Sequence, residues 1–156
     1  MIQCVQGITI YVRSVVKLVN LIMGLKGSGK TKRLVELVTR AIAEEEGNVV
    51  CIEKDKNLTF DIPYTCRLIH ATDYGFGTYK FFKGFISGLY AGNYDITHIF
   101  IDNFFKMFDQ VDLEETAELL EWLDKFSEEN SVKFTISATA EPSDVGENIT
   151  KYIMPA

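Results

Sequence analysis

The sequence predicts an α/β fold: three layers, with a mostly parallel central sheet between helices. Three observations carry that expectation. Short, mostly apolar runs recur at residues 18–23, 49–52 and 96–101, the middle one continuous, as in parallel strands covered on both faces. Helix-period patterns separate them, over 32–43 and 79–91. The first run opens into Gly24-Leu25-Lys26-Gly27-Ser28-Gly29-Lys30-Thr31, which matches the phosphate-binding loop pattern G-x-x-x-x-G-K-[ST] at every fixed position.

Composition bounds the rest. A chain of 156 residues suffices for one full core and is too short for two ordinary domains. Hydrophobic residues make up 47%, which excludes a disordered protein. A net charge of −6 leaves no general attraction for nucleic acid, so any such contact requires a local patch. Cys4, Cys51 and Cys66 form no C-x-x-C pair, which argues against a disulfide framework or zinc site and for a reducing cytoplasm.

In residues 8–23, Arg13, Lys17 and Asn20 interrupt the apolar run, which also falls short of a membrane span and lacks the marks of a signal peptide. Ile8, Ile10 and Val12 alternate with polar neighbours. Residues 1–15 therefore read as an extra edge strand or a disordered leader, ahead of a single domain over 16–156.

After the loop, Leu34, Leu37, Val38 and Ala41 share one face of a helix. Gly47-Asn48 ends it, and the run Glu44-Glu45-Glu46 reads as a solvated cap with no function of its own. The strand at 49–52 delivers Glu53 at its end. Residues 57–64 read as a loop and 66–69 as a further strand, with His70 beyond it as a pocket candidate.

Tyr79, Phe82, Phe85, Ile86 and Leu89 recur at helical spacing, with Thr78 as N-cap and Gly92-Asn93 as the stop. That helix packs aromatics on the sheet; a base-stacking or partner surface is the alternative, since Phe81 lies off the stripe beside Lys80 and Lys83. His98, inside an apolar strand, reads as a hydrogen-bonded core residue. A second long helix is expected over 112–129, with Leu113, Ala117, Leu120, Leu123 and Phe126 inward. A strand at 133–137 follows, and residues 152–154 suit a last short one.

The loop's chemistry follows from its residues. Gly24, Leu25, Lys26, Gly27, Ser28, Gly29, Lys30, Thr31 and Lys32 would wrap a phosphate chain, with glycines supplying dihedrals and close approach. Lys30 would reach the β- and γ-phosphates, the Thr31 hydroxyl would ligate Mg²⁺, and the helix would add its positive end. Ile99-Phe100-Ile101-Asp102 ends an apolar strand in an aspartate 71 residues after Thr31 (102 minus 31). That is the Walker B pattern, in which the Asp holds Mg²⁺ opposite the threonine.

On these residues the chain resembles the P-loop NTPases, in the branch of RecA-type recombinases and replicative helicases. The resemblance spans about residues 16–140. It implies a P-loop NTPase fold with one strand inserted between the loop strand and the Asp102 strand. It also implies Glu53 as the carboxylate that orients attacking water, since Asn103 stands where some members carry Glu. Ser137 would be the polar sensor of the γ-phosphate.

The function expected is Mg²⁺-dependent ATP or other NTP binding, with slow hydrolysis coupled to a protein partner or to self-association. Lys30, Glu53 and Asp102 would be its catalytic residues, and no arginine finger is evident. Alternatives are a nucleoside or small-molecule kinase of the thymidine-kinase-like branch, disfavoured by the absent lid cysteines, or a nucleotide-binding module that does not hydrolyse. A nucleic-acid partner is disfavoured by the acidic balance, and no membrane association is expected.

Overall fold

The computed structural model describes residues 17–155 together with the backbone of two short strands, β1 (Ile2–Val5) and β2 (Ile8–Tyr11). These two strands pair with each other, antiparallel, in a sheet of their own. The expected continuation of the edge strand through Val12 and the expected start of the core near Val16 lie outside the described residues.

The main sheet has five strands: β3 (Val19–Gly24), β4 (Asn48–Glu53), β5 (Arg67–His70), β6 (Ile96–Ile101) and β7 (Lys133–Thr139). Their order is β3-β7-β6-β4-β5, and every pairing is parallel. β7 therefore stands between the loop strand β3 and the aspartate strand β6. At the outer edge of β3, Ile153 bridges to Leu21 in parallel, which is the short pairing expected of residues 152–154.

Helices cover both faces. Helix α1 (Lys30–Glu44) buries Leu34, Val38 and Ala41 against Ile22, Val49, Cys51 and Phe100. On the other face lie α2 (Tyr79–Gly92), α3 (Leu113–Asn130) and the short α4 (Glu147–Thr150), packed over Leu21, Val50, Ile52, Ile99, Ile101, Phe134 and Ile136. Alternate residues of each strand serve the two layers, as a pleated sheet buried on both sides requires. On the α1 face, β7 presents Thr135 and Ser137, both buried. A polar strip thus runs beneath α1.

Caps explain two of the helix starts. The Thr78 hydroxyl accepts the Phe81 amide at 3.0 Å to start α2. Asp112 accepts the Glu115 amide at 2.9 Å to start α3, whose first turn also carries Glu114 and Glu115. In the inward stripe of α3, Leu120 and Leu123 are buried and Ala117 and Phe126 pack against the core as expected, while Leu113 departs. Leu113 is 40% exposed, and the buried positions are Thr116, Leu119, Leu120, Leu123 and Ser127. Hydrogen bonding makes two polar residues inward-facing: the Thr116 and Tyr79 hydroxyls meet at 2.8 Å, and Ser127 donates to the Leu123 carbonyl at 2.8 Å.

Candidate functional site

The carboxyl ends of the parallel strands share one edge of the sheet, where open α/β folds place their crevice. β3 ends at Gly24, and residues 25–29 form the turn into α1. Gly27 and Gly29 adopt φ +82° and +87°, a left-handed backbone that side chains resist, although nothing lies near a Cβ at either position. Their need for glycine is conformational. Gly24 differs: a Cβ there would come within 2.6 Å of Ser28 Oγ.

A cleft of about 590 Å³ opens over this turn, lined by Lys26, Gly27, Gly29, Lys30, Thr31, Lys32, Asn103, Lys106 and Thr139. Of the expected loop residues, Gly24, Leu25 and Ser28 do not line it. The Lys30 ammonium curls back on the loop, donating to the Leu25 carbonyl at 2.7 Å and to Ser28 Oγ at 3.4 Å. Burial lowers its pKa, against the raising effect of Asp102.

The first turn of α1 is unusual. No side chain caps it, no acid lies in it, and Lys30 and Lys32 stand there instead. Its free amides and its positive end are therefore uncompensated.

Asp102 lies beneath Thr31. The Thr31 hydroxyl donates to Oδ1 at 3.4 Å, the Ser137 hydroxyl to the same oxygen at 2.7 Å, and the Asn103 side-chain amide to Oδ2 at 3.2 Å. The Ser137 oxygen in turn accepts the Asn103 backbone amide at 2.9 Å. These donors are all neutral, and the Lys30 ammonium is the cation on which the Asp102 charge acts. Among the described residues no three His, Cys, Asp or Glu side chains gather as a metal cage. One hydroxyl and one carboxylate are a donor pair that would suit a hard cation such as Mg²⁺.

Asp102 is itself buried and does not line the cleft, and two further expected site residues are set back from it. Glu53, at the end of β4, does not line the cleft. Its Oε1 accepts the amides of Asn57 at 2.7 Å and Leu58 at 3.1 Å, its Oε2 accepts Leu58 at 3.2 Å, and His70 Nδ1 lies 3.5 Å from Oε2. Burial raises its pKa, and those amides only partly offset the effect. Glu53 thus anchors the following loop, and His70 belongs to that anchor.

Ser137 is also set back from the cleft, beside Asp102 on the neighbouring strand; the polar residue of β7 that reaches the cleft is Thr139. The sequence held the signal, because Thr139 follows Ser137 by two and shares its face. Lys106, likewise unanticipated, stands four residues after Asp102 on the 3₁₀ turn Phe104–Met107.

At the opposite edge of the sheet, Glu45 corrects the reading of residues 44–46 as a solvated cap. Its side chain, 13% exposed, receives His98 Nδ1 at 2.7 Å and Lys133 Nζ at 3.2 Å. His98 Nε2 meets Thr135 Oγ1 at 2.8 Å. The buried thiols Cys51 and Cys66 are free, and burial pushes Cys66 up to about 11, which leaves it unreactive.

Among the described residues no helix is long and apolar enough to cross a membrane. No protein-family model matches the chain, and no curated protein matches it.

Proposed function

We propose that the protein binds a Mg²⁺–nucleoside triphosphate, ATP or another NTP, at the cleft over residues 24–32, and hydrolyses it slowly. The observation that carries this reading is the bare first turn of α1. α2 and α3 each have a capping side chain; α1 and the short α4 do not, and α1 differs from α4 in carrying two lysines and no acid in its first turn. That arrangement is unfavourable until an anion completes it. The inserted strand β7, expected of RecA-type P-loop NTPases, supports the same reading, as does the approach of Thr31 to Asp102.

The amides of the loop would cradle the phosphates, and Lys30 would exchange the Leu25 carbonyl for phosphate oxygens. Thr31 and Asp102 would hold Mg²⁺, which screens phosphate charge and fixes the terminal group for in-line attack. Slow turnover follows from Glu53, whose oxygens are engaged by Asn57 and Leu58. Coupling to a protein partner is the proposed use of the nucleotide. Phe60 and Tyr64, 100% and 98% exposed, project from the loop that Glu53 anchors. A reducing cytoplasm suits the buried free thiols.

Calorimetry with Mg·ATP and Mg·GTP tests the binding, and phosphate release, alone and with nucleoside acceptors, tests the reaction class. Binding with slow phosphate release and no acceptor product is expected. Absence of any nucleotide binding refutes the reading.

A further inference from the structure

We propose that Lys106 faces the terminal phosphate of the bound nucleotide, so that the site selects triphosphates over diphosphates. This inference rests on the nucleotide reading above and names what that site distinguishes.

The cleft is far more basic than the chain. The protein carries a net charge of −6, yet the cleft lining contains four lysines and no carboxylate. Lys26, Lys30 and Lys32 come from the loop and the start of α1. Lys106 alone comes from the other wall, beyond the end of β6, with Thr139 of the intervening strand between them. Gathered like charges cost free energy that a polyanion offsets. Among the described residues Lys106 makes no ion pair that would occupy it otherwise.

Its position is fixed by the turn that carries it. Phe104 and Met107 are buried in the core, and Phe104 meets Phe82 and Phe108 edge to face at 5.6 and 5.1 Å. Asn103 enters the turn at φ +54°, a left-handed conformation costly for a residue other than glycine. Its amide is tied to Ser137 and its carbonyl to the Lys106 amide at 2.9 Å. With residues 104 and 107 turned inward, Lys106 is left facing the cleft. It stands on the Asp102 side, toward which the far end of a phosphate chain wrapped by the loop would extend. A triphosphate reaches that side; a diphosphate stops short of it.

The test compares the affinities of Mg·ATP, Mg·GTP and their diphosphates for the wild-type protein and for Lys106→Gln, Lys106→Arg and Lys125→Gln, the last removing an equal charge from α3. Lys106→Gln is expected to weaken triphosphate binding about tenfold, as loss of one charge-assisted contact does, with diphosphate affinity little changed. Lys106→Arg should restore most of the preference, and Lys125→Gln should leave it intact. An unchanged triphosphate-to-diphosphate ratio in Lys106→Gln, or an equal loss for both ligands, overturns the assignment alone. A wild-type protein that binds none of the four nucleotides overturns the assignment and the reading beneath it.

Discussion

The Ser137 hydroxyl donates to Asp102 Oδ1 across neighbouring strands at 2.7 Å, while its oxygen accepts the Asn103 amide at 2.9 Å. One side chain on β7 thereby sets both the aspartate's orientation and the strained turn that follows it. Ser137→Ala removes the donor and leaves the Asn103 amide without its partner. The expected cost is about 1–3 kcal/mol of stability, together with a higher Mg²⁺ requirement for nucleotide binding. Urea denaturation and a Mg²⁺ titration measure the two; an unchanged requirement would show that Asp102 is oriented without the serine.

Lys30→Ala should weaken Mg·ATP binding about a hundredfold, the loss of a doubly engaged charged donor. The fold should survive, because the ammonium bonds only to its own loop. Calorimetry alongside thermal melting checks both parts. Unaltered affinity would remove the loop from the site.

Asp102→Asn should raise the Mg²⁺ concentration needed more than it weakens metal-free nucleotide contact, since it removes the carboxylate charge while Thr31 keeps an oxygen to donate to and Lys30 loses only the charge support of Asp102. Nucleotide titrations with Mg²⁺ and with a chelator separate these effects. Equal losses under both conditions would argue that Asp102 serves the loop's shape instead of a metal.

Glu53→Ala should free the amides of Asn57 and Leu58, seen as faster hydrogen exchange and easier proteolysis within residues 54–66. Mg·ATP affinity should be unchanged. If turnover vanished while the loop stayed protected, Glu53 would be a catalytic residue after all.

Glu45 supplies the pH dependence. Burial pushes its carboxyl up, but the hydrogen bond and charge of His98, with those of Lys133, outweigh burial and leave it below the ordinary 4.5. A carboxylate depressed by folding stabilises the native state above its unfolded pKa and ceases to do so as pH falls through the folded value. Glu45→Gln should therefore cost about 1–2 kcal/mol at pH 7, with the gap closing in acid below about pH 4. Urea midpoints across that range measure it. A gap independent of pH would assign the effect to packing.

The layers of this fold could be read from residue patterns because buried parallel strands and capped helices leave local marks. Thr78 and Gly92 bracket α2 as expected, and the runs at 49–52 and 96–101 became β4 and β6. Most of what escaped was decided by residues distant in sequence; Ser127, bonded to Leu123 one turn back, is the exception. Glu45 looks solvated until His98 and Lys133 are brought to it from β6 and β7. Thr116 and Ser127 look outward-facing until their partners are known. At the cleft, the glycines, Lys30 and Thr31 are legible because one short loop supplies them all. Thr139 arrives from β7 and Lys106 from the turn after β6, and whether Glu53 faces the cleft or its own loop depends on the path of residues 54–58.

The seam between Leu21 and the chain's last residues has a practical meaning. The Leu21 amide donates to Tyr152, the Met154 amide returns a bond to Leu21, and Arg33 holds the Pro155 carbonyl. Shortening the chain by these few residues would turn the strand beneath the glycine turn into a bare border able to recruit a strand from another molecule. A truncated version is then a test of clumping before it is a test of ligands.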